Sequence, residues 1–369
     1  MSTTTDHDTA TRTGPASQPD PARVQEFAGR LFGVLSSGST ALMVSIGHRT
    51  GLFDALAGLP PSTSSSIAAE AGLHERYVRE WLGAMTVAGI VTHDGATGTY
   101  QLPGEHAAVL TRAAGPDNLA SLLQMVPLLA QVEDEVVRCF AEGGGVPYSS
   151  YARFHELMAE QSAQTNDAAL VDKVVPLVPG LRERLQRGTR VADIGCGQGH
   201  ALNLLARAFP DSEFVGFDFS AEALDVARAE ARTWGLTNVE FELRDVADLD
   251  GAGSFGAVTA FDAIHDQARP ATVLQQVAAH LEPDGVFLMV DMRASSDLDN
   301  NRDIPWAPFL YTVSTMHCMT VSLALDGAGL GTVWGTELAQ RMLAEAGFGD
   351  VEVKSLEEDF INDYYVARR

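Results

Sequence analysis

The 369-residue chain is 46% hydrophobic and 20% charged, enough apolar material to bury cores in two or three domains of ordinary size. Its 49 acidic residues against 25 basic ones give a formal net charge of −24, and only Lys173 and Lys354 are lysines. Such a field repels phosphate backbones and anionic lipid surfaces, so neither a nucleic-acid nor a membrane partner is expected.

The three cysteines, Cys139, Cys196 and Cys318, are widely spaced and form no CxxC pair. They fit neither a disulfide framework nor a cysteine zinc site, and point to a reducing cytoplasm. The first residues lack the basic start and apolar stretch of a leader, and no uncharged apolar run of 18 residues is expected downstream. Neither export nor membrane insertion follows.

Residues 1–22 are rich in Thr, Ser, Asp and Pro and read as a disordered tail. Residues 23–104 read as a winged-helix-like domain. Ile67, Ala71, Val78, Leu82 and Met85 repeat at helical spacing around a break at Gly72, and turn-rich residues 92–103 predict a hairpin wing. Over residues 23–103, five arginines face six acidic residues, a poor footprint for duplex DNA. Dimer packing and pocket formation are preferred. The rival, a transcription regulator whose second domain senses a metabolite, predicts an exposed arginine cluster on the second helix, where Arg76 and Arg79 neighbour Glu75 and Glu80.

Residues 105–187 read as a helical linker and cap, with a turn at Gly143-Gly144-Gly145. Within it, Tyr151, Phe154, His155 and Met158 form a stripe that serves either as interface core or as a wall over a substrate. Residues 188–369 alternate short β-rich runs with helical stretches, which implies a mostly parallel sheet covered on both faces.

The stretch Val191-Ala192-Asp193-Ile194-Gly195-Cys196-Gly197-Gln198-Gly199-His200 joins an apolar strand to a helix. Glycines there let the backbone approach a ligand closely, and the spacing is GxGxG rather than the GxGxxG of dinucleotide sites. Asp193 suits a ligand bearing an ammonium group, and Cys196 reads as packing. The next strand ends in Asp218, placed to accept from both ribose hydroxyls. The third ends at Asp245-Val246, where a carboxylate can accept from an exocyclic amine while an apolar neighbour packs on the base.

Taken in order, VADIGCGQGH, EFVGFDFS, FELRDVADL, GAVTAFDAIHD and EPDGVFLMVDM resemble the class I S-adenosylmethionine-dependent methyltransferases over residues 188–293. With the N-terminal half added, the chain resembles the two-domain members that carry a winged-helix-like module. The resemblance implies a Rossmann-like α/β domain with a mostly parallel seven-stranded sheet, S-adenosylmethionine as cofactor and S-adenosylhomocysteine as product. It assigns Asp193, Gly195, Gly197, Gly199 and Phe261 to the methionine end, Asp218 to the ribose, and Asp245 and Val246 to the adenine, with Phe219 as a further cofactor contact. It also implies that residues 350–354 and 360–367 form an antiparallel edge pair, with Tyr364 and Tyr365 as sheet residues.

Methyl transfer from a sulfonium needs alignment before it needs a base. His265 and Asp266, just past the fourth strand of this domain, are placed as base or substrate contact. The insertion over about residues 299–334 contributes His317 as the rival base, with Trp306 and Tyr311 as acceptor contacts beside Tyr151 and His155. No HxH or HxxxH spacing supports a metal. The expected activity is methylation of a small organic acceptor, O ahead of N or C, by a homodimer.

Overall fold

A computed structural model describes residues 18–369. Residues 1–17 of the expected tail lie outside the described residues. Helix Pro21–Arg49 already begins within the tail's expected bounds, capped by Asp20, whose carboxylate accepts from the Ala22 N–H at 2.9 Å.

The last turns of this helix enter the core of the first domain. A Cβ on Gly47 would meet the rings of Trp81 at 2.5 Å and Phe53 at 2.7 Å, so only glycine lets the helix pack so closely. Helices Ser64–Ala71 and Glu75–Val87 follow, separated by Gly72 in the left-handed region. The wing is the hairpin of β1 (Thr92–Asp94) and β2 (Thr99–Gln101).

One sequence expectation fails here. Residues 31–48 carry no Asp, Glu, Lys or Arg, and the Pro21–Arg49 helix contains an 18-residue window of mean hydropathy 1.2. Its serines, glycines and threonine disguise the run as polar. Ala41, Val44 and His48 are buried in the domain, whereas Val24, Phe27, Leu31, Phe32 and Leu35 are exposed.

The middle of the chain is helical, as expected. Helix Phe154–Ala169 ties the two halves together. Its Glu160 meets His48 of the first domain at 2.6 Å, and its Asp167 meets His200 of the second at 3.1 Å.

The second domain holds a seven-stranded sheet in the order β5-β4-β3-β6-β7-β9-β8. Its strands are β3 (Arg190–Ile194), β4 (Glu213–Asp218), β5 (Val239–Leu243), β6 (Phe255–Phe261), β7 (Leu281–Met292), β8 (Asp350–Leu356) and β9 (Asp359–Arg368). All pairs are parallel except those made by β9, which runs antiparallel to both β7 and β8. Tyr364 and Tyr365 are buried in β9. The central β6 is buried through its first six positions because helices cover both sheet faces. Chain order reverses between β3 and β6, so the crevice beyond their carboxyl ends is where an open α/β sheet admits a ligand.

The insertion folds as short helical pieces, Ala307–Val313, a π-turn Ser314–Cys318 and Met319–Leu323. Val313, Cys318 and Val321 share an apolar cluster with Met125, Leu129, Val136, Tyr151 and Phe154 of the middle helices. Ser322 Oγ donates to the Gln267 carbonyl at 2.9 Å and the Gly331 N–H to the His265 carbonyl at 3.1 Å, which docks this layer on the loop after β6.

Candidate active site

At the carboxyl end of β3, Gly195, Gly197 and Gly199 all have positive φ. A Cβ on Gly199 would collide with Phe241 at 2.5 Å and Ala227 at 2.6 Å, and one on Gly195 with Ala263 at 2.7 Å. A Cβ on Gly197 would meet nothing within 4 Å, so there the bare backbone faces open space. Asp218 ends the neighbouring β4, is nearly buried, and accepts from the Gly197 N–H at 2.9 Å and the Ser220 N–H at 2.8 Å. Each carboxylate oxygen keeps a further lone pair, enough for a vicinal diol. The cradle and the carboxylate therefore fit a nucleoside, which Gly195, Gly197, Gly199 and Asp218 would hold.

Asp193, expected at the methionine end, already has a partner within the sheet. It lies inside β3, where the register sets it beside Thr259 of β6, and its carboxylate accepts from Thr259 Oγ1 at 2.7 Å. Burial pushes this carboxyl up to about 7, with Asp218 adding to the shift. Its side chain is buried and committed to Thr259. Val246 likewise is buried in the core layer that includes Phe217 and Ile264. Asp245 is exposed and pairs with Arg269 at 2.5 Å. Phe261 packs on the opposite core layer, and Phe219 is exposed. Cys196 is free, and burial pushes its thiol well above the usual range, as suits packing.

His265 and Asp266 stand on the loop after β6. His265 is buried, and its Nδ1 meets Asp291 Oδ1 of β7 at 2.9 Å. Burial opposes the imidazolium, but the Asp291 carboxylate, with Cys318 behind it, holds His265 well above the ordinary imidazole range. Burial pushes Asp266 up to about 6, with Asp291 and Asp218 contributing.

Beside them is a cluster of rings. His317 is 1% exposed, stacks on Phe154 with centroids 3.6 Å apart, and neither ring nitrogen has a partner. Burial, then His265 and His155, lower it to about 3, so it stays a neutral imidazole. The Tyr148 ring lies 5.2 Å from His317, 4.9 Å from His155 and 5.7 Å from Phe219, bridging the rings of the cap to the strand end that bears Asp218. Burial, with Asp266 and Asp218, raises its phenol well above the usual range.

The structure brings together His265, Asp266, His317, Tyr151, His155 and Phe219 from the residues read in the sequence. Tyr151 precedes the helix rather than lying on it, and its hydroxyl donates to the Met316 carbonyl, so it forms wall with a committed polar end. Trp306 and Tyr311 do not join the cluster. Trp306 packs edge-on against Phe360 at 4.9 Å, and the Tyr311 hydroxyl accepts from Asn301 at 3.1 Å. Tyr148 and the pairing of Asp291 with His265 were missed. Tyr148 follows a glycine turn with no pattern to mark it, whereas a carboxylate near the end of β7, three strands from that of Asp218, was a usable signal.

Comparison with known proteins agrees with this architecture. A family model described as an Rv2258c-like winged HTH domain matches residues 38–112, and one described as a methyltransferase domain matches residues 185–347. A fatty-acid O-methyltransferase of Mycolicibacterium smegmatis is 32% identical over 111 residues, 30% of this chain and 40% of the relative. The chain thus matches well under half the length of that curated relative. A putative O-methyltransferase from Nostoc punctiforme superposes with a TM-score of 0.70 at 18% identity, over 95% of this chain and 100% of that one. Human N-acetylserotonin methyltransferase in complex with SAM does so with a TM-score of 0.68 at 17% identity, over 96% and 99%.

Proposed function

We propose that the chain, matched by a winged HTH model over residues 38–112 and a methyltransferase model over residues 185–347, is a class I S-adenosylmethionine-dependent methyltransferase that methylates a hydroxyl of a small organic acceptor. The observation that carries the reading is the His265–Asp291 pair, 2.9 Å apart, at the same sheet edge as the glycine cradle and Asp218.

Bound in that cradle, S-adenosylmethionine supplies a sulfonium-borne methyl group, and S-adenosylhomocysteine is left. Asp218 would accept from the ribose hydroxyls, and the bare backbone at Gly197 would allow the close approach. Asp245 keeps acceptor capacity for the adenine amine beside its pairing with Arg269. Asp291 accepts a hydrogen bond from Nδ1–H of neutral His265, which fixes the tautomer and leaves the Nε2 lone pair to draw a proton from the acceptor hydroxyl. Because Asp291 raises the imidazole's pKa, the base form grows as pH rises above the ordinary imidazole range. The ring cluster around His317 excludes water from the acceptor.

We also read the chain as a homodimer in a reducing cytoplasm. Val24, Phe27, Leu31 and Leu35 recur at i, i+3, i+7 and i+11 on one exposed face of the Pro21–Arg49 helix, a stripe suited to a second copy. The free thiols of Cys139, Cys196 and Cys318 suit that compartment. The regulator reading loses support because Arg76 and Arg79 are paired with Glu80 at 2.5 Å and Glu75 at 3.3 Å on the second helix.

Release of S-adenosylhomocysteine with a panel of small phenols, alcohols, carboxylic acids and amines tests the reaction. Turnover confined to hydroxyl acceptors is expected, and turnover confined to amines would overturn O-methylation.

A further inference from the structure

The register of β6 on β7 pairs Phe261 with Val290, and the Asp262 N–H donates to the Val290 carbonyl at 2.9 Å. Asp262 and Asp291 therefore stand side by side, one residue further along paired parallel strands. Asp262 holds φ at 51°, one of two non-glycine residues with positive φ among the described residues. Such a backbone is kept where the surroundings enforce it, often at a working site.

Asp262 Oδ1 and Asp291 Oδ2 are both buried and lack a donor. The other oxygen of Asp291 accepts from His265 Nδ1 at 2.9 Å and from the Met292 N–H at 2.8 Å. Arg293, close by in the chain, is committed to Asp363 at 2.8 Å and supplies no counter-charge. Asp291 is fully buried and Asp262 half-buried, with one orphaned oxygen each; neighbouring carboxyls so placed resist double ionisation, and one proton between them would serve both orphaned oxygens.

We propose that Asp262 is a positioning residue for the base, the outer member of a chain Asp262–Asp291–His265 in which Asp262 carries a proton and donates it in a hydrogen bond to Asp291 Oδ2. The pair then bears a single negative charge. Burial, followed by the charge of Asp291, pushes Asp262 up to about 7, in keeping with that arrangement. His265 also faces Cys318 and His317 from the π-turn and Asp266 from its own loop. Asp262 faces Asp266 together with Asp359 and Tyr364 from β9.

The chain has a chemical purpose. A bare Asp291 carboxylate would hold His265 as an imidazolium, which cannot accept a proton. A donor on the far oxygen draws charge away from the near one and brings the imidazole closer to the pH at which it can cycle. The purpose rests on the reading of His265 as base, whereas the test does not.

The test is a nitrogen-15 NMR titration of the full chain labelled in histidine, with no acceptor added and His265 assigned from the spectrum of His265→Gln. Asp262→Asn keeps an N–H donor and tolerates the left-handed backbone. Asp262→Gly removes the donor and relaxes that backbone. The pKa of His265 is expected to stay within about 0.3 unit in the Asn variant and to rise by about one unit in the Gly variant. A fall in the Gly variant would mean that Asp262 is ionised and acts as a charge, which overturns the proposal. Equal shifts in both variants, or none in either, also overturn it. Turnover that survives in His265→Gln would instead remove the base reading and leave the titration result standing.

Discussion

The cofactor side and the acceptor side of the site meet at one sheet edge but are built differently. The cofactor side comes from strand ends close in sequence: Gly195, Gly197 and Gly199 follow β3, and Asp218 ends β4. The acceptor side is assembled from distant pieces, with Tyr148 and Phe154 before the sheet domain begins, His265 after β6 and His317 in the insertion. Local backbone geometry enforces the first arrangement, and tertiary packing of helical segments enforces the second. Substitutions on the two sides should therefore fail in different observables, the cofactor side in affinity and the acceptor side in turnover and acceptor KM.

The largest effect is expected at His265. His265→Gln should lower turnover by about 10²–10⁴-fold while cofactor affinity changes little, read by product release and by calorimetry. A matching loss in both would erase the distinction between the sides. Next comes a contrast within the glycine loop. Gly199→Ala should weaken cofactor binding by about tenfold or more, because its Cβ has no room against Phe241 and Ala227. Gly197→Ala meets no protein atom, but its Cβ would stand where the cofactor approaches the bare backbone, so a comparable loss of affinity is expected there. An effect no larger than the strain of its φ would take the cofactor off Gly197.

The pH profile sharpens the acceptor side. Since Asp291 raises the pKa of His265, turnover should climb with pH above the ordinary imidazole range. Asp291→Asn removes the carboxylate and should move that rising limb to lower pH by about one unit, at reduced maximal rate. A limb that stays in place would take the dyad out of the mechanism. The smallest effect is expected at His317. His317→Phe keeps the stack on Phe154 and removes both ring nitrogens, so acceptor KM should rise about 3–10-fold with kcat nearly unchanged.

The same contrast explains what could be read from the sequence. The strands, the winged helix-turn-helix and the cradle were legible because each is set by a local pattern: continuous apolar runs, a helical repeat broken at Gly72, glycines between a strand and a helix. The partner of Asp193 was not legible, because its place in the motif says nothing of its side chain, which the strand register sets beside Thr259. Trp306 and Tyr311 misled because residue type alone does not say which way a short helix in an insertion faces. Tyr148 was invisible, since its neighbours Phe219 and His317 come together only in three dimensions. The uncharged run over residues 31–48 escaped because its small polar residues interrupt an apolar appearance without adding charge.

The most direct test of the account is a calorimetric titration of the full chain and of Asp218→Ala with S-adenosylmethionine and with S-adenosylhomocysteine. The account predicts that both bind the natural chain and that the variant, still folded, loses affinity for both by about tenfold or more. Absence of binding to either ligand, or equal affinity in the variant, would contradict it.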